Sequence, residues 1–192
     1  MVWIKNGTPD TLSGTGDVMT VSDMSANKFN QFMYHALQDT STISMDITFN
    51  NNTNSVYSKR WSDNGGTDST SVSQANASNT GWSGDTFTVQ ETISISGEEK
   101  LNILHTIDRS TAGAGNAPTR REQVTKFVPS PDADITRIDS NNSQAGDYVS
   151  SSNLSALGSD GTEELNVQDG AIYYDTDLNK EYVLYNNTWT EV

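Results

Sequence analysis

Cysteine is absent from the 192 residues, which excludes disulfides, thiolate metal sites and cysteine nucleophiles together. Histidine is almost absent. His35 and His105 are the two imidazoles, neither belongs to a His-Glu-x-x-His motif, and the chain has no Gly-x-Ser-x-Gly elbow. Serine hydrolysis needs a nucleophile beside a base, and catalytic zinc needs clustered ligands, so neither chemistry finds its groups here. Positive charge is scarce as well, with 11 Lys and Arg against 25 Asp and Glu and a net charge of −14. Polyanions are bound through Lys and Arg that release counterions, so the balance argues against nucleic acid and against an anionic membrane as partners. No apolar run approaches the roughly 20 residues of a membrane-crossing helix. Met1 to Pro9 has neither the basic nor the apolar part of a secretion signal, which predicts synthesis in the cytoplasm of the producing cell. The glycine-rich run Gly113-Ala-Gly-Asn-Ala117 lacks the Lys-Ser/Thr pair of a phosphate loop.

What is present is polar and strand-forming. Hydrophobic residues make up 33% of the chain, enough for each strand to bury a single face. A body this thin in apolar side chains gains stability by pressing against copies of itself or a scaffold, which predicts an oligomer or a lattice-bound protein.

Four segments are predicted. Residues 1–20 form an extended N-terminal arm with Val2, Trp3 and Ile4 at its tip, packed on its own or a neighbouring subunit. Residues 21–143 form a β-sandwich body. Within it, Phe29, Phe32, Met33, Ala36 and Leu37 recur at i, i+3, i+4, i+7 and i+8, which predicts an amphipathic helix over about 25–37. A strand with Phe29, Gln31, Met33, His35 and Leu37 on one side fits the same stretch less well. From Ile43 the period changes to two: Ile43, Met45, Ile47 and Phe49 alternate with polar residues, and 55–62 supplies the partner strand of a hairpin. Residues 63–85 read as a long surface loop. The strongest strands, 86–96 and 100–108, alternate Phe87, Val89, Ile93, Ile95 and Leu101, Ile103, Ile107, which are assigned inward; 121–128 and 135–138 follow. Residues 144–168, rich in Ser, Asp and Gly, are a linker, and 169–192 are a three-stranded β-meander turning at 175–180 and at Asn186-Asn187. The expected fold is therefore mainly β: an antiparallel, jelly-roll-like β-sandwich with one amphipathic helix and a C-terminal meander.

Candidate chemistry is sparse. His105 falls among inward positions and reads as a hydrogen-bonded core histidine, while His35 lies at the helix's polar boundary. Glu91 interrupts an apolar strand face, as a glycosidase acid can, but an edge position, a bulge or a partner such as Arg121 accounts for it too. Asp175, Asp177, Asn179 and Glu181 alternate like calcium ligands without the Gly and Glu of an EF-hand. Asp63, Asn64, Asp68, Asp132 and Asp134 are the other oxygen-rich positions, so Ca²⁺ is the one cofactor left open, with turn formation the default use of these residues. Trp61, Trp82, Tyr57, Tyr148 and Trp189 are candidates for a platform that stacks sugar rings, with core packing and subunit contact the competing uses; Trp82, in a Gly-flanked loop, is the best placed for contact.

Two resemblances bear on function. Gly170, Ile172-Tyr-Tyr174, Thr176, Asn179, Tyr182, Tyr185-Asn186 and Trp189 resemble a meander that recurs in tail-fibre, head-fibre and other virion surface proteins of tailed phages, a structural module that carries no chemistry. Lys28-Phe-Asn-Gln-Phe32, Trp61 to Asp68, Ser96 to Leu101, Ala112 to Pro118 and Ser152 to Asp160 resemble uncharacterised proteins of marine viruses. They imply a non-enzymatic virion structural protein: a capsid decoration, head-fibre or tail component on the virion surface, made in the host cytoplasm. Its partners would be copies of itself, trimers by resemblance, and other virion proteins. Trp3, Ile4, Trp61, Trp82, Tyr173, Tyr185 and Trp189 are the expected contact residues. The alternative is an adhesin that recognises host surface glycan through Trp61 and Trp82 with bound Ca²⁺; a depolymerase acting through Glu91 is the enzyme alternative.

Overall fold

The computed structural model describes residues 2–39, 41–109, 111–161, 170–186 and 188–192. None of these residues is helical; the protein is mainly β, built from several antiparallel sheets. In chain order the strands are β1 (Ile4–Lys5), β2 (Asp10–Thr11), β3 (Val18–Val21), β4 (Phe29–Ala36), β5 (Ile43–Ser44), β6 (Asp46–Phe49), β7 (Tyr57–Asp63), β8 (Ser69–Gln74) and β9 (Gly81–Trp82). They continue as β10 (Thr86–Ile93), β11 (Lys100–Asp108), β12 (Thr119–Phe127), β13 (Ile138–Asn141), β14 (Asn153–Ser159), β15 (Ile172–Asp175), β16 (Lys180–Tyr185) and β17 (Thr188–Glu191). Two compact units divide the chain, Trp3–Gly161 and the C-terminal segment bearing the last three strands.

The larger unit is organised by one sheet in the order β1-β14-β4-β10-β11-β12-β7-β8, with β2 also paired to β14. The predicted helix over about 25–37 is not there: β4 occupies its place, hydrogen-bonded between β14 and β10. Asn30, Phe32, Tyr34 and Ala36 point inward, and Phe29, Gln31, Met33 and His35 take the other face. A strand with apolar residues on both faces repeats at three and four as a helix does, and pairing on both edges decides between them. The predicted linker 144–168 contains β14, an internal strand of this sheet; its stretch 162–168 lies outside the described residues. Residues 63–85, expected to be a loop, contain β8 and β9. Residues 1–20, expected to be an arm, contain β1 and β2, which dock on β14.

The faces of the central strands are the reverse of those assigned from sequence. Thr86, Thr88, Gln90 and Thr92 on β10, Lys100, Asn102, Thr106 and Asp108 on β11, and Gln123 and Thr125 on β12 are buried. The alternate, apolar residues face out. Against the buried face packs the sheet β3-β13-β6, whose Met19, Val21, Ile47, Phe49 and Ile138 are fully buried. The ring of Phe49 on β6 lies 6.1 Å from Phe32 and 5.4 Å from Phe127, and Tyr57 stacks on Phe127 at 4.8 Å. The Tyr57 hydroxyl accepts from Phe49 N at 2.9 Å and donates to Asn52 O at 3.0 Å, which satisfies the buried phenol; burial raises its pKa, and the bond from Phe49 opposes the rise. Elsewhere the interior is held by polar pairs. Thr88 and Thr106 share a hydroxyl hydrogen bond at 2.8 Å, Tyr34 donates to Gln90 at 2.9 Å, and Gln123 and Thr125 both donate to Ala77 O, at 2.6 and 3.1 Å.

In the C-terminal unit, β15-β16-β17 form the three-stranded meander. Asp175 caps its first turn, accepting from the backbone N–H of Asp177 and Leu178 at 3.0 Å each, and Asn179 takes the left-handed conformation there. Asn186 does the same in the second turn, where Asn187 lies outside the described residues.

Candidate contact surface

Cross-strand register assembles the outer face of the large sheet. Ile93 lies between Phe29 and Leu101, Val89 between Met33 and His105, and Phe87 between His35 and Ile107. On the next strand Ile103 pairs with Val124 and His105 with Glu122. Phe87, Leu101, Ile103, Ile107 and Val124 are between 46% and 53% exposed, so five large apolar side chains lie adjacent and half in water. An apolar patch of this kind is a candidate interaction surface. A groove of about 720 Å³ covers one end of it, lined by Trp3, Phe29, Ile93, Leu101, Ile103 and Val124, while Phe87 and Ile107 line a separate pocket at the other end.

Three cations on this face are each paired with an anion. Arg60 pairs with Asp68 at 3.2 Å, Lys126 with Glu99 at 2.9 Å and Arg120 with Glu122 at 3.4 Å. Glu91 is exposed and accepts from Gln31 at 3.0 Å; it lies on an internal strand, with neither the edge position nor the Arg121 partner considered for it. His105 is exposed on the same face and not in the core, and His35 is exposed beside Phe87.

A second cluster sits where β7, β9 and β12 meet. The Arg121 guanidinium lies 5.4 Å from the Trp61 ring and 5.9 Å from the Trp82 ring, pairs with both Asp63 oxygens at 2.7 and 2.8 Å, and donates to Thr80. A pocket of about 290 Å³ opens beside it, lined by Asp63, Asn64, Trp82, Asp108, Arg120 and Arg121 among others. Trp82 is 7% exposed and pairs with Ile43, so most of its ring packs inside and little of it reaches the pocket.

The other contact residues from the sequence fall in two places. Trp3 and Ile4 are exposed at the start of the large unit, and Trp3 lines the groove. Tyr173, Tyr185 and Trp189 are exposed on the meander, where Tyr173 packs against Tyr182 at 6.2 Å and edge-on to Trp189 at 6.0 Å. Sequence reasoning missed the outer-face residues of β10, β11 and β12, although a signal was present. Their alternate positions carry mainly neutral Thr, Gln and Asn, which cost less to bury than charges, whereas Glu91, Arg120, Glu122 and Lys126 sit in register with the apolar residues and mark that side as outward.

Among the described residues no group of three or more His, Asp or Glu side chains is placed to hold a metal ion. No family model, no curated protein and no solved structure matches the chain.

Proposed function

We propose that the protein is a non-enzymatic structural component of a virus particle, of the capsid-decoration, head-fibre or tail-fibre type, that works by self-association through the outer face of its large sheet. The observation that carries this reading is the adjacency of Phe87, Leu101, Ile103, Ile107 and Val124, half exposed over a polar interior. The occupant is a second copy of the chain. Two copies carrying −14 each repel across most of their surfaces, and this face, with Arg60, Arg120 and Lys126 each paired to an anion, is where a copy can approach while covering apolar area. The viral setting rests on the meander and body resemblances, and the body is read as a jelly-roll-like β-sandwich.

Light scattering of the purified protein tests the assembly step. An oligomer that falls to single chains in Ile103→Lys supports it; a stable 20.9 kDa monomer at micromolar concentration overturns it. Antibody labelling of purified particles tests the location.

A glycan-binding role is the second reading, favoured by the Arg121 clamp between Trp61 and Trp82 beside a polar pocket. It predicts a glycan-array signal lost in Asn64→Ala, together with a calcium-dependent rise in melting temperature.

A further inference from the structure

Lys59 is 9% exposed, on the inner side of β7, and forms no ion pair among the described residues. Its Nζ donates to Asn76 Oδ1 at 3.0 Å. An ammonium whose hydrogen bond goes to a neutral amide is poorly compensated in a protein interior, and burial favours the free amine. Burial pulls the Lys59 pKa down to about 8, against the charge of Asp46 and with the help of Arg121. An unprotonated amine is a nucleophile.

The electrophile is held in place. Asn76 precedes Ala77, whose N–H donates to Ile47 O at 2.7 Å and whose carbonyl accepts from Gln123 and Thr125; Ile47 N in turn donates to Ser78 O at 3.0 Å. The segment is thus bonded to β6 on one side and β12 on the other, which keeps the Asn76 carboxamide against the amine. Asp46, next to Ile47, lies within electrostatic reach of Lys59. Burial raises its carboxyl above the ordinary value, opposed by Ser143, Lys59 and Ser44 in that order, and its Oδ1 is buried without a hydrogen-bond partner.

We propose that Lys59 and Asn76 condense to an intramolecular isopeptide bond. Lys59 Nζ attacks Asn76 Cγ, a Cγ–Nζ bond forms, the Cγ–Nδ2 bond breaks, and a proton leaving Nζ departs with Nδ2 as ammonia. Nothing is oxidised or reduced. In a chain without cysteine the product is a covalent staple from β7 to the segment leading into β9, closing a loop that spans the β8 hairpin.

Intact-mass measurement on the denatured full chain tests the step. The expected result is a wild-type mass one ammonia lighter than the sequence, a proteolytic digest with a branched peptide joining Lys59 to Asn76, and the full sequence mass in Lys59→Arg and Asn76→Ala. An unshifted wild-type mass after prolonged incubation near pH 8 overturns the proposal. So does an ammonia loss that the digest places in an unbranched peptide, as backbone succinimide at Asn6-Gly7 or Asn64-Gly65 would give.

Discussion

Phe87 and Ile107 stand opposite one another on β10 and β11, both about half exposed. One residue further along, Thr88 and Thr106 stand opposite one another inside the molecule. The sheet has therefore turned its apolar side to solvent and its hydroxyl side to the second layer, an arrangement that makes sense where another surface covers the first.

Replacing Phe87 or Ile107 by Ser is expected to leave the unfolding free energy of the isolated chain within about 0.5 kcal/mol of wild type, as for surface positions. The same changes made at core positions would cost about 2–5 kcal/mol. Urea unfolding at low protein concentration separates the two, and a loss of the larger size would show these residues to be internal.

Thr88→Val or Thr106→Val alone leaves one buried hydroxyl without its 2.8 Å partner and is expected to cost about 1–3 kcal/mol. The double substitution removes both groups and is expected to be close to neutral. A double-mutant cycle by denaturant unfolding reads the difference, and additive single costs would show that the pair does not act as a unit.

Phe49 touches Phe32, Tyr57 and Phe127 at once. Phe49→Ala is expected to destabilise by about 3–5 kcal/mol, the largest loss of any change named here, because three rings lose a common neighbour. Thermal unfolding followed by near-ultraviolet circular dichroism measures it.

Lys100 is fully buried and donates to Ile95 O, Glu98 O and Asp132 Oδ1, the last at 2.8 Å. The hydrogen bond from Lys100, and then that from Gly97 N, hold the Asp132 carboxyl below its ordinary 3.8. The folded state thus binds this proton less readily than the unfolded chain. The stabilisation is complete above 3.8 and is lost as pH falls through the lower folded value. Asp132→Asn is expected to be less stable than wild type at neutral pH, with the gap narrowing under acid; unfolding curves at a series of pH values test this, and a gap that is constant with pH would exclude the linkage.

Periodicity located most of the strands without saying which side of each is inside. Thr86 to Ile93 alternates cleanly, yet alternation has no sign: the side that meets the second layer is decided by what β3, β6 and β13 offer across the gap, and those strands lie far off in sequence. The meander was legible because its turns are local, set by Asp175, Asn179 and Asn186 within a few residues. β14 was missed because Asn153 to Ser159 has only Leu154, Ala156 and Leu157 as apolar members, and its strand character comes from bonding to β1, β2 and β4. The pairing of Lys59 with Asn76 was equally out of reach, since a lysine between Ser58 and Arg60 reads as solvated until β12 and the Asn76 segment close over it.

The hydroxyl-lined interior sets how the protein responds to temperature. Heat capacity rises when apolar groups become wet and falls when amides and hydroxyls do. A lone chain that melts here wets many Thr, Gln and Asn side chains that were dry, while its Ile, Leu and Val on the far side were half wet already. Its calorimetric baseline step is therefore expected to be smaller, and its stability curve shallower, than a wholly apolar interior of the same size would give.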